Sequence, residues 1–375
     1  MERFEVIVIG GGPAGAVAAR TLAAAGARVV LVDGSHPREK ACGGGVTGRA
    51  LALLGLSGSG RSVARVRFES GEAAVAVDLP AGFLDVVSRE QFDGALLALA
   101  ERQGVQRVQA RATAIEPTRD GWIVSAGARR LAGRWILGAD GAGGITRKQL
   151  WRPFTRAQLS IAAGSYVDGP DVSEIVIRFV DAPRGYLWSF PRPGHLAVGT
   201  CAQADVTSTA EMHAVTEAWL DRYAPAAGLP RRRYAWPIPS LDAAAVERER
   251  PAADGWMLLG DAAALVDPIT REGIFFAIRS GMMAATALAG PDPARDYAAQ
   301  VRDELHDELR RAAVFKAGFF RPRFTRLLVD AVRESAGVRA VMIDLIAGRQ
   351  SYRGLKRRLL GTLEVGLAVR ALLGR

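Results

Sequence analysis

The stretch EVIVIGGGPAGAVAARTLAAAGARVVLVD, residues 5–33, constrains the fold more than any other part of the chain. Residues 6–9 form an apolar, β-branched run typical of a buried parallel strand, and residues 14–25 form an alanine-rich run typical of a helix. A GxGxxG pattern at residues 10–15 separates the two runs. A strand, a glycine turn, a helix and a second strand in this order predict the βαβ unit of a dinucleotide-binding domain.

Each glycine of the pattern has its own predicted role. Gly10 permits the tight turn, Gly12 leaves room for a pyrophosphate beside the backbone, and Gly15 lets the helix pack closely on the strand. The helix begins near Ala14, where its free N–H groups and positive dipole end favour an anion. Asp33 ends the second strand, where its carboxylate is placed to bond ribose hydroxyls. This stretch does not decide between FAD and NAD.

The rest of the chain predicts a second sheet of a different kind. Four short strands at 161–167, 174–180, 186–191 and 195–200 are separated by turn residues, which is typical of an antiparallel sheet. A helix at 210–223 and an Arg/Pro segment follow, a buried-strand pattern returns at 256–259, and from about residue 293 the chain reads as helical and basic. Earlier local patterns predict the following elements: a hairpin at 64–79, a helix at 88–104 capped by Ser88, and single strands at 107–115, 122–125 and 135–137.

These patterns predict an α/β fold with a Rossmann-like nucleotide domain, an inserted antiparallel β-sheet substrate domain and a C-terminal helical region. The boundaries follow from the positions of the motifs: 1–65, 85–155 and 254–290 for the nucleotide domain, 66–84 and 156–253 for the substrate domain, and 291–375 for the helical region. We expect a cleft between the sheet and the nucleotide domain, since chemistry usually takes place in such clefts.

Composition limits the partners and the compartment. The net charge of +10 favours an anionic partner such as a phospholipid surface, or reflects an arginine-rich proteome, and no recognisable nucleic-acid-binding module is present. Cys42 and Cys201 have no metal or CxxC spacing and the histidines form no ligand cluster, so we expect a reducing compartment and no metal. No signal peptide precedes the first strand and no uncharged apolar run is long enough for a bilayer. We expect a cytoplasmic protein, or one peripheral on the inner face of the membrane.

Two C-terminal stretches place basic and apolar residues at helical spacing. Residues 351–375 carry leucines at 355, 359, 360, 363 and 367 with arginines between them, and four phenylalanines lie among basic residues at 315–326. Such helices fit an anionic membrane surface. They also fit a cap on the substrate tunnel with basic sides in solvent, and the two interpretations are compatible.

Gly260-Asp261 ends the strand predicted at 256–259, before a helix that begins near Gly273. Asp261 is placed to bond a ribityl hydroxyl, and Pro268 to fix the loop that carries an isoalloxazine ring. A helix N-terminus at Gly273 would stabilise negative charge on a reduced flavin. A plain strand-to-helix turn is the alternative interpretation.

The motifs at 10–15, 138–141 and 260–261 together resemble the three fingerprints of FAD-dependent oxidoreductases related to aromatic hydroxylases. Two stretches narrow the resemblance: KACGGG at 40–45 resembles the CGG loop of the geranylgeranyl reductase family, and YLWSFP at 186–191 matches its YxWxFP motif. The segment DPITREGI at 267–274 is similar to its NPLTGEGI-type segment. The resemblance covers roughly residues 1–290.

The resemblance implies FAD as the cofactor and, with the motifs above, gives the predicted cofactor-binding residues: Gly10, Gly12, Ala14, Gly15, Asp33, Gly43, Gly44, Gly45, Arg89, Asp140, Asp261, Pro268, Gly273 and Ile274. It also implies that Tyr186 and Trp188 wall the substrate cavity beside the flavin. Asp33 replaces the more usual Glu. Arg271 stands where the family commonly has Gly, and a cation there would alter the redox poise of the flavin or bind an anionic head group.

The resemblance predicts a reductase that saturates C=C bonds of a geranylgeranyl-type chain on a lipid, quinone or pigment precursor by hydride transfer from reduced flavin. The electron donor is NADPH, ferredoxin or another carrier. The candidate catalytic residues are Tyr186, Trp188 and Cys42, although the aromatic pair also fits a plain core face and Cys42 fits a proton donor, a flavin gate or loop packing. A flavin monooxygenase or halogenase and an electron-transfer flavoprotein subunit are the alternatives. The WPIP at 236–239 is not the WxWxIP motif of halogenases.

Overall fold

A computed structural model describes residues 1–56, 58, 60–169 and 172–362. The chain forms two compact units, each assembled from three separate segments. The first unit consists of 1–40, 88–158 and 237–310, and the second of 41–87, 159–236 and the chain from 311 onward.

The strands are, in chain order, Glu2–Ile9 (β1), Val29–Val32 (β2), Gly45–Thr47 (β3), Arg61–Ser62 (β4), Arg65–Ser70 (β5), Ala73–Asp78 (β6), Leu84–Val86 (β7), Gln106–Val108 (β8), Ala112–Thr118 (β9), Gly121–Ala126 (β10), Arg129–Gly138 (β11), Leu159–Asp168 (β12), Glu174–Val180 (β13), Gly185–Arg192 (β14), His195–Gln203 (β15), Arg231–Pro239 (β16), Ala252–Ala253 (β17) and Trp256–Leu258 (β18). The α-helices are Pro13–Ala24 (α1), Gly48–Leu54 (α2), Arg89–Arg102 (α3), Ile145–Leu150 (α4), Thr209–Leu220 (α5), Ala243–Glu247 (α6), Ile274–Leu288 (α7), Pro293–Gln300 (α8), Asp307–Phe319 (α9), Pro322–Glu334 (α10), Ala336–Ile346 (α11) and Leu355–Gly361 (α12).

The first unit is built on a sheet with the strand order β17-β18-β11-β1-β2-β8. β1 pairs in parallel with both β2 and β11, and β11 pairs in parallel with β18. The side chains of Val6, Ile7, Val8 and Ile9 are all buried, which explains why the strand reads as an unbroken apolar run. The predicted βαβ unit is confirmed as β1, α1 and β2.

The second unit contains the predicted antiparallel sheet, with the order β16-β12-β15-β14-β13-β5-β6. The pairs from β12 to β13 are antiparallel, β13 pairs in parallel with β5, and β5 and β6 form the predicted hairpin. A small sheet of β3, β7 and β4 lies in the same unit. The mixed α/β fold class is therefore confirmed.

Two local predictions differ from the structure. The single strand predicted at 107–115 is two strands, because β8 pairs in parallel with β2 whereas β9 pairs antiparallel with β10. A turn at Ala110, whose N–H donates to the carbonyl oxygen of Val108 at 2.9 Å, separates them. The Arg/Pro segment after α5 contains a strand, β16, which lies at the edge of its sheet, where prolines are tolerated.

Residues 293–362, the described part of the predicted helical region, are largely helical as predicted and include a π-helical turn at Val301–His306. In the described residues, no helix combines the length with the apolar character that crossing a bilayer requires. The amphipathic pattern predicted at 351–375 is described only as far as α12 and Thr362, and Leu363 and Leu367 lie outside the described residues.

Candidate functional site

Of the three motif glycines in the loop of the first unit, two have no room for a β-carbon and one does. A β-carbon built on Gly10, whose φ is +110°, would lie 2.3 Å from the carbonyl oxygen of Ala139. One on Gly15 would lie 1.9 Å from the carbonyl oxygen of Gly10. A β-carbon on Gly12 would meet nothing closer than Nε2 of His36, at 3.7 Å. The chain therefore needs glycine at the first and third positions for its own packing, whereas Gly12 borders open space.

That open space lies at the N-terminus of α1. Gly12 is the N-cap, Pro13 occupies the first turn, and no side chain accepts a hydrogen bond from the N-terminal N–H groups as a cap. A helix end of this kind, next to a glycine that only the ring of His36 approaches, fits the pyrophosphate of a dinucleotide. The residues present therefore fit the FAD that the sequence predicts.

Asp33 lies at the end of β2 and holds the glycine loop. Its Oδ2 accepts a hydrogen bond from the N–H of Gly11 at 2.7 Å and lies 2.9 Å from Nδ1 of His36. Its Oδ1 accepts from the N–H groups of Ser35 and His36, at 2.5 and 2.7 Å. Burial alone would raise the pKa of this carboxyl, but the hydrogen bonds and charge of His36 and the N–H of Gly11 hold it well below its usual value.

His36 was not predicted as a site residue, because nothing in its spacing marks it. Its ring lies between the carboxylates of Asp33 and Asp93, with Nε2 at 3.7 Å from Oδ2 of Asp93. It is also the side chain nearest to Gly12. The imidazole therefore forms one wall of the open space at the glycine loop.

Arg89, a predicted cofactor contact, is buried at the start of α3. Its Nε and Nη2 donate to the two carboxylate oxygens of Asp93 at 3.1 and 2.8 Å. The N-cap prediction is confirmed, since Oγ of Ser88 accepts from the N–H of Gln91. Contact of Arg89 with FAD stays a prediction, since the structure pairs its guanidinium with Asp93.

Asp140 follows β11 and caps α4. Its carboxylate accepts hydrogen bonds from both the N–H and the hydroxyl of Thr146. Burial raises the pKa of this carboxyl, and the bonds from Thr146 oppose that effect. Asp140 thus fixes the turn at 138–141, whose Ala139 packs against Gly10.

The Gly260-Asp261 turn lies beside the start of α1. A β-carbon on Gly260 would lie 3.3 Å from Cβ of Ala14, and one on Gly281 of α7 would lie 2.5 Å from the carbonyl oxygen of Ala14. Oδ2 of Asp261 accepts a hydrogen bond from Nζ of Lys40 at 3.1 Å. Two segments far apart in sequence thus converge, which the sequence motifs anticipated.

Arg147, buried on α4, anchors this turn. Its Nη1 donates to the carbonyl oxygen of Ala262 at 3.1 Å and to Glu249 at 2.7 Å, and its Nη2 donates to the other oxygen of Glu249 at 2.9 Å. Both side chains of the ion pair are almost fully buried, at 1% and 2% exposed. No motif or spacing in the sequence marked this ion pair.

The segment from Asp267 to Ile274 forms a closed loop that leads into α7. Oδ1 of Asp267 accepts from the N–H groups of Ile269 and Thr270, and the N–H of Asp267 donates to the carbonyl oxygen of Glu272. Pro268 lies within this loop. Gly273 is the N-cap of α7 and Ile274 its first residue, as predicted. A β-carbon on Gly273 would lie 3.3 Å from Oδ1 of Asp261, so the two motifs adjoin.

The Cys42–Gly45 loop in the second unit is held by Arg192, which directly follows the YxWxFP motif. The side chain of Arg192 is buried, its Nη2 donates to the carbonyl oxygen of Cys42 at 2.5 Å, and its Nε donates to that of Gly43 at 3.1 Å. The same Nη2 lies 3.3 Å from Sγ of Cys42. The sequence analysis did not predict a role for Arg192. Its position directly after the YxWxFP motif was the available signal.

The glycines of this loop are required by close packing. A β-carbon on Gly43 would lie 2.8 Å from the ring of Phe190. Gly44 has φ of +83°, and a β-carbon there would lie 2.5 Å from the carbonyl oxygen of Val87 and 2.7 Å from Nε of Arg192. Gly45 begins β3 and lies against the same phenylalanine ring.

Tyr186 and Trp188 lie on one face of β14, with ring centroids 5.9 Å apart. Tyr186 also stacks on Phe320 at 6.2 Å. Trp188 is buried, and its indole Nε1 has no hydrogen-bond acceptor in the described part of the chain. A third aromatic residue, Tyr234, lies near Trp188, since both side chains pack against Gly199. The hydroxyl of Tyr234 donates to the carbonyl oxygen of Val198 at 2.7 Å.

Comparison with known proteins places this geometry in a family. Residues 5–168 match the family model described as lycopene cyclase protein. The chain is 30% identical to a menaquinone reductase of Mycobacterium tuberculosis in an alignment of 333 positions that covers 80% of each chain. It is also 30% identical to digeranylgeranylglycerophospholipid reductase 1 of Methanothermobacter thermautotrophicus, over 83% of this chain and 85% of that protein.

A solved structure shares the fold. The chain superposes with a TM-score of 0.80 and 22% identity on a geranylgeranyl bacteriochlorophyll reductase-like protein of Thermoplasma acidophilum, covering 97% of this chain and 100% of that one. These matches agree with the family that the sequence motifs indicated: the glycine loop, the Gly260-Asp261 turn, YxWxFP and CGGG. The chain belongs to the geranylgeranyl reductase family of FAD-dependent oxidoreductases.

Proposed function

We propose that the protein saturates C=C bonds of a prenyl chain carried by a lipid, a quinone or a pigment precursor. The observation that carries the proposal is that the glycine loop at residues 10–15 lies beside the Gly260-Asp261 turn, in a chain that also has the YxWxFP and CGGG motifs. The names of its relatives, which are reductases of prenylated compounds, support the same chemistry. FAD, when bound and reduced by the electron donor, would supply the hydride for this reduction.

In this proposal the first unit holds the cofactor. Gly12 and the N-terminus of α1, including Ala14, bind the pyrophosphate. Asp33 orders the glycine loop through Gly11 and offers its carboxylate at the ribose end, while Asp261, neutralised by Lys40, bonds a ribityl hydroxyl. The remaining predicted contacts, Arg89, Asp140, Pro268, Gly273 and Ile274, shape the surrounding loops.

The second unit carries the aromatic pair Tyr186 and Trp188 and the CGGG loop. Tyr186 and Trp188 present aromatic surface to an apolar chain, which aligns a double bond and excludes water. The neutral thiol of Cys42 is the proposed donor of the proton that saturation requires, and the guanidinium of Arg192, 3.3 Å from Sγ, stabilises the thiolate that remains. NADPH or a protein carrier such as ferredoxin is the proposed electron donor.

The direct test reduces the purified, FAD-loaded protein without oxygen and then adds a panel of geranylgeranylated lipids and quinones. We expect the flavin absorbance to return as each substrate is consumed, and the product mass to rise by one or more pairs of hydrogens. Products of unchanged mass, or products heavier by one oxygen and formed only in air, would contradict the proposal and favour an electron carrier or a monooxygenase. Protein that is colourless and cannot be reconstituted with FAD would contradict it as well.

We propose further that the corner between α9 and α10 docks on an anionic phospholipid surface. Residues 311–329 include Arg311, Lys316, Arg321, Arg323 and Arg326 and no acidic residue. Phe324 is 43% exposed. Three exposed arginines flank it in the sequence: Arg321, Arg323 and Arg326. Cations around an exposed aromatic ring fit the head-group region of an anionic bilayer.

Sedimentation with vesicles tests this surface. We expect wild-type protein to bind vesicles of phosphatidylglycerol and phosphatidylcholine, and the double variant R321E/R323E to lose most of that binding. The matched control R119E/R134E reverses two other exposed arginines and should bind like wild type. Equal binding by both double variants would refute the proposal.

A further inference from the structure

Arg271 holds a backbone conformation that side chains rarely adopt. Its φ is +60°, in the left-handed region, and it is one of two non-glycine residues with positive φ in the described part of the chain. The loop itself explains how the conformation is held, since the N–H of Arg271 donates to the carbonyl oxygen of Asp267 at 3.0 Å. Glycine would adopt the same turn without strain, so the arginine side chain is retained at a cost to stability.

Among the residues that the structure describes, the guanidinium of Arg271 has no anionic partner. Its Nη1 donates to the hydroxyl of Ser240 at 2.5 Å, and its Nε is buried with no acceptor. Four other arginines in the described residues also have a buried Nε without an acceptor, but each donates through a terminal nitrogen to a carboxylate or a main-chain carbonyl: Arg49, Arg107, Arg147 and Arg152. Arg271 donates from its side chain to a neutral hydroxyl alone.

A partly buried cation without a counter-charge is unfavourable, because desolvation removes its hydration and no anion replaces it. No carboxylate of the described residues lies within 4.0 Å of this guanidinium. A bound anion would supply the missing counter-charge.

We propose that Arg271 is an anion-recognition residue of the cofactor site. The inference rests on the proposed function and on the predicted role of the loop around Pro268, which is to carry the flavin ring. Arg271 stands two residues before Gly273, and the N-terminus of α7 there adds its own positive dipole end. The hydrogen bonds that Asp267 accepts from Ile269 and Thr270 hold the loop, so the cation is presented at a fixed place.

Two ligands offer such an anion. One is the reduced flavin, which carries negative charge on its pyrimidine edge, and the other is the phosphate head group of a prenylated substrate. Both would accept charge-assisted hydrogen bonds from the free donors of the guanidinium. Measurements on FAD-loaded protein separate the two, because FAD then fills the pyrophosphate site at the glycine loop.

The experiment compares wild type with R271G, which introduces the residue common in the family, and with R271K, which keeps the charge. The first measurement is the midpoint potential of the bound flavin, and the second is the binding of inorganic pyrophosphate to the FAD-loaded protein. S240A is the matched control, since it removes the hydroxyl partner and keeps the cation. Thermal unfolding of each variant checks the fold.

We expect R271G to be at least as stable as wild type, because glycine relieves the left-handed strain. If the anion is the reduced flavin, R271G shifts the reduction equilibrium about tenfold toward the oxidised form, which is about 30 mV for two electrons. If the anion is the head group, R271G leaves the potential unchanged and weakens pyrophosphate binding about tenfold. R271K and S240A should stay close to wild type in whichever of the two quantities R271G changes, the midpoint potential or the pyrophosphate affinity.

An R271G variant with wild-type potential and wild-type pyrophosphate affinity would overturn the inference. A marked loss of thermal stability in R271G would also overturn it, since that result assigns the side chain a structural role. These outcomes leave the proposed function standing. Failure of the wild type to bind FAD would instead overturn the proposed function itself.

Discussion

Alanine substitution at Gly12 and at Gly15 separates cofactor binding from folding within one motif. Gly12 has φ of −72° and ψ of −178°, which alanine adopts freely, and its β-carbon would meet only the ring of His36, at an ordinary contact distance of 3.7 Å. Gly15 is closed by packing, because its β-carbon would lie 1.9 Å from the carbonyl oxygen of Gly10. We expect G12A to fold normally and bind FAD poorly, and G15A to be destabilised.

The magnitudes follow from these contacts. In G12A the methyl group occupies the space that the pyrophosphate needs, and loss of a hydrogen bond to a charged group costs about 1.5–3 kcal/mol, so the Kd for FAD should rise roughly 10- to 100-fold. The unfolding free energy should stay the same or rise by about 0.4–1 kcal/mol, because alanine restricts the unfolded chain. In G15A the methyl group has to push α1 away from the turn, and overpacking of this kind costs about 1–3 kcal/mol or more.

Two titrations on apoprotein measure the difference: FAD fluorescence for the Kd, and urea unfolding for stability. A G12A variant that binds FAD like wild type would refute the assignment of the open space to the pyrophosphate. A G15A variant as stable as wild type would refute the packing argument. Wild-type apoprotein serves as the common reference in both titrations.

Three further predictions concern buried polar groups. Burial lowers the pKa of His306 from 6.5 to about 4, against the opposing charge of Glu249. As the pH falls, His306 is therefore protonated in the unfolded state before it is protonated in the folded state. The unfolding free energy should therefore fall by about 2 kcal/mol between pH 7 and pH 5, and urea unfolding of H306Q should show a smaller fall. E249Q should lower the unfolding free energy at pH 7 by about 3–5 kcal/mol, because it leaves the buried guanidinium of Arg147 uncompensated, and an unchanged urea midpoint would contradict this. R192Q should slow alkylation of Cys42 by iodoacetamide several-fold, since it removes the cation beside the thiol, whereas an equal rate would show that Arg192 only packs.

The elements that the sequence predicted well are those with local signals. The roles of Gly10 and Gly15 follow from a motif whose contacts lie within a few residues or on the adjacent strand. The cap at Ser88 and the hairpin of β5 and β6 likewise depend on neighbours in sequence. At these positions local pattern and structure agree, because the signals lie in the neighbouring residues.

The site residues that sequence reasoning missed have distant partners. Arg192 contacts Cys42 across 150 positions, and Arg147 pairs with Glu249 across 102. His36 is close in sequence to Asp33, but its role depends on Asp93 and on the open side of Gly12, which only the folded chain brings near. Strand β16 was missed because its arginines and prolines disfavour a central strand, and only its edge position permits it.

The packing of Gly281 against Ala14 has a consequence for synthesis on the ribosome. The glycine turn leaves the exit tunnel early, but α7 and the strand that pairs with β11 are translated only after residue 255. Until then the nascent chain exposes one side of α1 and an unpaired edge of β11, so it depends on late translation to close the nucleotide pocket. A message truncated before this point would yield a polypeptide that carries the whole N-terminal motif and still retains no flavin.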